Sequence, residues 1–221
     1  MEIATLFTEQ KWNIFKLLSQ DKLSPLQLAQ KSNTTIANIS QQLKLLEAVD
    51  LVKKEKIKNR EKGQPRTLFS ISNDYAYLVF ATNDFAEKKL LVLNDYDKFL
   101  LRTLFLENAE LHYYLSKFYW KIEDYLELLD MIIVMKGGDE IEIALVAEKA
   151  KEIEKKINIT QIKKPNGETK SVKILAFTKE ELIKLVKQGK APFSPVKDLQ
   201  VIHDPKRILS DLKKQEVLAN N

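Results

Sequence analysis

Cysteine is absent from the 221-residue chain, which excludes disulfides, thiolate metal sites and cysteine nucleophiles. Histidine occurs twice, at His112 and His203, with no ligand spacing of the H-E-x-x-H kind. Both are read as surface or packing residues. With five glycines and six prolines the chain is neither collagen-like nor of low complexity. No apolar run approaches the ~20 residues that cross a bilayer. Met1-Glu2 opens without the basic and apolar regions of a secretory signal. A cytoplasmic protein without membrane association is expected.

What is present reads as soluble and globular, with 44% hydrophobic and 30% charged residues. The length favours two small domains over one large one. The net charge of +5 is unevenly placed. Residues 1–72 hold twelve Lys/Arg against seven Asp/Glu, and the rest of the chain is balanced. The whole excess therefore lies in the N-terminal third, as an electrostatic footprint for an acidic partner would.

The local patterns in that third are helical. Ile14, Leu17 and Leu18, with Trp12 and Phe15, give an apolar stripe over Thr8–Ser19. Ser24-Pro25 is an N-cap followed by a proline at the first helical position. Asn33 suits a turn with positive φ, and Thr34 can cap the next helix. A third helix is predicted over Thr35–Ala48, with Ile36, Ile39, Leu43 and Leu46 as its buried face. Its outward arc then holds Thr34, Ala37, Asn38 and Gln41, flanked by Thr35, Gln42 and Lys44. Amides donate and accept at once, which suits adenine edges, and lysine reaches guanine or phosphate.

Next comes "KKEKIKNREKGQPRTLFSIS", Lys53 to Ser72, with seven Lys or Arg in its first fourteen positions. Strand-like residues Val52, Ile57, Leu68 and Ile71 flank a tip at Asn59–Pro65, so a basic hairpin is predicted. Three helices followed by a basic hairpin is the plan of a winged helix-turn-helix. "LAQKSNTTIANISQQLKLLEAVDLV" resembles the ArsR/MarR-type pattern of Ser-x-His-Leu-Lys-x-Leu followed by Leu-x-x-Gly-Leu-Val. Ser40, Leu43, Lys44, Leu46, Leu51 and Val52 match, while Gln42 replaces the frequent His and Asp50 the frequent Gly. "GQPRTLFSIS" looks like the Gly-Arg-Pro-Arg wing signature of those archaeal-type regulators.

The resemblance implies a DNA-binding transcriptional regulator, working as a homodimer on double-stranded DNA. Thr34, Thr35, Asn38, Gln41, Gln42 and Lys44 would face the major groove. Lys53, Lys54, Lys58, Arg60, Lys62 and Arg66, together with Lys56, would run along phosphates, three or four of them in contact. Wings of this type also mediate protein contacts, so a protein–protein adaptor is the alternative in kind.

Thirteen of the nineteen aromatic residues fall between Tyr75 and Tyr125. Residues 75–129 are read as an aromatic-rich helical linker, broken near Glu107–Asn108. It packs within the chain, lines a ligand pocket, or supplies the dimer interface, where such side chains serve as anchors. From residue 130 strands and helices mix: "MIIVM", a Gly-Gly turn, "EIEIALV", a charged helix, and a hairpin at Asn166-Gly167. A helix comes next, capped by Thr178 with Glu181 and ended by Gly189. The fold class is thus α+β, divided as 1–74, 75–129 and 130–221.

The last domain, through "TKEELIKLVKQGKAPFSPVKDLQVIHDP", weakly resembles small archaeal nucleotidyltransferases. Their Gly-Ser and Asp-x-Asp signature is missing; Glu140 and Glu142, at i and i+2, are the nearest counterpart. The resemblance implies a degenerate scaffold for regulation or for binding a protein partner or effector. No catalytic residue, cofactor or metal is assigned, and enzyme activity stands only as an alternative.

Overall fold

Apolar residues at three- and four-residue spacing close the first of three cores. α1 (Glu9–Leu18), α2 (Pro25–Lys31) and α3 (Ile36–Glu47) bury Ile14, Phe15, Leu28, Ile39, Leu43 and Leu46 in one cluster. The structure, a computed structural model, describes residues 8–57 and 66–219. It divides the chain into two units, residues 1–94 and 95–221. The α+β class expected from the sequence holds.

Local signals set the helix ends. Ser24 and Gln27 form the reciprocal pair of a capping box: Gln27 N–H donates to Ser24 Oγ, and Ser24 N–H donates to Gln27 Oε1. Pro25 fills the first helical position, where no N–H is needed. Asn33 turns the chain at φ 49°. The cap of α3 is Thr35, not Thr34: its Oγ1 accepts from Asn38 N–H at 3.2 Å. After α3, Asp50 adopts φ 57°, a left-handed conformation that glycine takes without strain and that aspartate visits more readily than most residues.

β1 (Val52–Ile57) and β2 (Arg66–Ile71) pair antiparallel from Val52↔Ile71 to Ile57↔Arg66. Leu23, between α1 and α2, exchanges two backbone bonds with Phe69 and so ties the helices to this hairpin. The expected hairpin tip and its residues Lys58, Arg60 and Lys62 lie outside the described residues.

Residues 75–129 are not one helical segment. β3 (Tyr75–Ala81) and β4 (Ala86–Val92) form an antiparallel hairpin belonging to the first unit. Aromatic and branched residues favour a strand here. The turn is held by Thr82 N–H to Phe85 O at 2.7 Å and by Thr82 Oγ1 to Asp84 Oδ1 at 2.8 Å. Tyr75 anchors the hairpin by setting its ring 6.0 Å from that of Phe15. The boundary between units falls after Asn94, not after residue 74.

The second unit opens with α4 (Asp95–Leu104) and α5 (Leu111–Ile122), broken where the sequence implied. Its sheet runs β7 (Gln161–Lys163), β8 (Thr169–Phe177), β6 (Glu140–Val146), β5 (Met131–Gly137), β9 (Gln200–His203). Only β6 and β8 are parallel, joined through α6 (Ala150–Lys156). Alternate residues of β5 enter opposite cores: Ile132 and Val134 join Tyr114, Leu115, Phe118 and Ile122 of α5. Met131 and Ile133 join Leu182 of α7 (Lys179–Lys187) and Leu212 of α8 (Ile208–Ala219). A sheet covered on both faces explains why "MIIV" is continuously apolar. Tyr114, Phe118 and Tyr119 of α5, candidates for dimer anchors, thus lie inside this unit. Thr178 and Glu181 complete the expected capping box, and Gly189 follows at φ 62°. No helix among the described residues is long and apolar enough to cross a membrane.

Gly137 ends β5 against Leu111, and a methyl group there would overlap Leu111 Cδ1. Leu111 is buried, so its side chain would have to shift to make room. Gly137→Ala should therefore destabilise the chain by about 1–3 kcal/mol in chemical denaturation. Adding Leu111→Ala should give less than the sum of the two single losses.

Candidate nucleic-acid interface

Burial of Ile39, Leu43 and Leu46 fixes the rotation of α3. The opposite side then carries Ala37, Gln41, Lys44 and Ala48, all exposed, within an arc of about 60° at 3.6 residues per turn. The capping Thr35 is exposed as well. Of the six residues expected on this helix to face DNA, Thr35, Gln41 and Lys44 are therefore presented to solvent.

Thr34, Asn38 and Gln42 form a separate row, half-buried along the flank of α3. Asn38 Nδ2 donates to Thr34 Oγ1 at 3.0 Å, and Gln42 Nε2 donates to Asn38 Oδ1 at 3.3 Å. Gln42 Oε1 is buried without a hydrogen-bond partner. These side chains bond to one another, so they first stabilise the helix flank. Their i, i+4 spacing was visible in the sequence; that they would bond to each other was not.

Ile36 departs from expectation. It is 48% exposed, although its direction around the helix is within about 20° of that of Leu43. It is the first residue of α3, so its position at the helix end, not its rotation, places it beyond the core. Sequence reading missed Ile36 and Ala48 as members of the outer surface; the Thr35 cap immediately before Ile36 was the available signal.

Side chains alternate across β1. Lys54 and Lys56 share the face of buried Phe69, and Lys53 and Glu55 take the other. Lys54 Nζ lies 2.8 Å from Glu47, the sole carboxylate of α3. Lys53 Nζ donates to Ser72 O at 3.2 Å. Lys22 Nζ bonds Glu55 Oε2 at 2.5 Å, and this holds the Glu55 carboxyl below its ordinary range. Lys53 and Lys54 are thus engaged at the base of the hairpin, while Lys56 and Arg66 stand exposed nearer its tip.

The second unit offers less chemistry. Glu140 and Glu142 share a strand face, and Glu142 Oε1 meets Lys173 Nζ on β8 at 3.5 Å. Among the described residues no group of three His, Cys, Asp or Glu side chains could hold a metal. An open cleft of about 220 Å³ lies beside Asn108, Lys136, Asp198 and Gln200, below the ~300 Å³ at which small-molecule sites begin. His203 is buried, its Nε2 without a partner. Burial pushes its pKa down, against the opposing charge of Asp95, and Arg102 pushes it further down.

No protein-family model matches this chain, and no curated protein matches it.

The amides of α3 make a stability test. Asn38→Ala breaks two hydrogen bonds and should lower the stability measured by denaturation by about 1–2 kcal/mol. Gln41→Ala, on the open face, should change it by no more than about 0.5 kcal/mol. His203 gives a pH test. Its folded pKa lies below the ordinary 6.5, so the unfolded chain takes up the proton first as pH falls. Stability should drop as pH falls from 6.5 toward the folded value, and His203→Gln should flatten that part of the profile.

Proposed function

We propose that the chain is a DNA-binding transcriptional regulator whose first unit is a winged helix-turn-helix. The observation that carries this reading is the outward face of α3, made of small residues, an amide and an amine. Its sole carboxylate is turned aside onto Lys54. That surface can approach a polyanion closely and still hydrogen-bond to base edges. The β1–β2 hairpin adds basic groups next to it in sequence, where the excess charge of the chain is concentrated. Gln41 and Lys44, with Thr35 at the helix N-terminus, read the major groove. Lys56, Arg66 and the basic residues of the tip hold phosphates.

The regulator acts as a homodimer on paired half-sites, and the second unit serves regulation or partner binding. A second reading, a protein–protein adaptor, is favoured by one observation: Ile36, at the N-terminal end of α3, is 48% exposed.

Fluorescence anisotropy with duplex DNA across a salt series separates the two readings. Three or four phosphate contacts from each protomer, about six to eight in the dimer, should give a slope of log K against log salt of about −6. Arg60→Ala combined with Arg66→Ala removes two of these from each protomer and should reduce the magnitude of that slope by about 4. Gln41→Ala should narrow the gap between preferred and random duplexes while leaving the slope unchanged. Affinity independent of ionic strength, or insensitive to the arginine pair, would exclude the DNA reading. Negligible duplex affinity would favour the adaptor.

A further inference from the structure

Among the described residues the β3–β4 hairpin is covered only near its base. Tyr75 and Leu90 pack against the first core, but every residue from Leu78 to Lys89 is exposed. Val79 is 71% and Phe80 59% exposed. Two-stranded ribbons are marginal in water without a further strand or a covering surface. Among the described residues neither edge of this ribbon pairs with another strand.

The two edges differ in chemistry. β4, "AEKKLLV", carries Glu87, Lys88 and Lys89, the charges by which natural sheets discourage further pairing. β3, "YAYLVFA", has no charge, no proline and high strand propensity throughout. One edge is protected and the other is open.

We propose that β3 pairs antiparallel with β3 of a second copy of this chain, giving a four-stranded sheet ordered β4–β3–β3–β4. This deepens the homodimer reading above and does not depend on DNA binding. A twofold axis through such a pair must be perpendicular to the sheet, so facing residues keep the same side and one residue meets its own copy. With full overlap of β3 that residue is Leu78. Tyr77 then faces Val79 of the second copy, Ala76 faces Phe80, and Tyr75 faces Ala81. Every pair is uncharged, and the Tyr–Val pair is of the aromatic–branched kind that stabilises sheets.

The same operation on β4 sets Lys89 against its own copy, a like-charge contact that disfavours it. Charge therefore selects β3 over β4 as the shared edge. It also limits the assembly, because both outer edges of the four-stranded sheet would be β4, with Glu87, Lys88 and Lys89. Association closes at two copies, as a twofold interface requires.

The test uses the full chain without DNA. Sedimentation velocity over rising concentration should show a monomer–dimer equilibrium, and Leu78→Lys should weaken it by at least about tenfold with circular dichroism unchanged. A second variant avoids the added charge. Because the chain has no cysteine, Leu78→Cys places the sole thiol on the axis. It should oxidise to a covalent dimer at least about tenfold faster than Lys89→Cys. A chain that stays monomeric, leaving the edge for a strand of another protein, overturns both the homodimer reading and this surface. A dimer unaffected by L78K, or K89C crosslinking as fast as L78C, preserves the homodimer and overturns β3 as its interface.

Discussion

Ile39, Leu43 and Leu46 must leave water together, and that requirement sets the direction of every other side chain on α3. Once they are buried, Ala37, Gln41 and Lys44 can only point outward and Thr34, Asn38 and Gln42 can only run along the flank. The candidate surface is thus a by-product of core packing. The loop between α1 and α2 adds to the constraint, because Leu23 is bonded to Phe69. That links the orientation of the helices to the hairpin following them. A rigid element carrying short and amide side chains is what base reading demands, since sub-ångström placement decides whether a two-point hydrogen bond forms.

Charge obeys a similar division between base and tip. The excess of basic residues in the first 72 positions does not all face one way. Lys54 is drawn to Glu47, Lys22 to Glu55, and Lys53 to the carbonyl of Ser72. These exposed contacts contribute little stability each, but the first two neutralise the Glu47 and Glu55 carboxylates. Lys56 and Arg66, nearer the tip, stand exposed. The ion pairs lie at the base and the exposed cations nearer the tip.

Much of the architecture was legible where local chemistry dictates it. Ser24-Pro25, Asn33, Asn166-Gly167, Thr178 with Glu181, and Gly189 each announce a cap or turn through their own backbone preferences. The cap of α3 was displaced by one residue, since Thr34 and Thr35 offer the same hydroxyl and only the final turn chooses between them. The β3–β4 hairpin was hidden because "YAYLVFA" is apolar at nearly every position, which removes the alternation that separates strand from helix. Its Thr82-Asn83-Asp84 turn was the readable clue. The α5 aromatics illustrate a different limit. Spacing identifies an apolar face, but the two-sided sheet that covers it is assembled from residues distant in the chain, Ile132, Ile143 and Val172 among them.

The central claim is that the outward face of α3 and the adjoining hairpin form the contact with DNA. Hydrogen–deuterium exchange of the full chain, with and without duplex DNA at low salt, tests it most directly. Slowed exchange is expected over residues 36–48 and 52–71, with the helices of the second unit unchanged. Protection confined to residues 95–219, or none at all under saturating duplex, would contradict it.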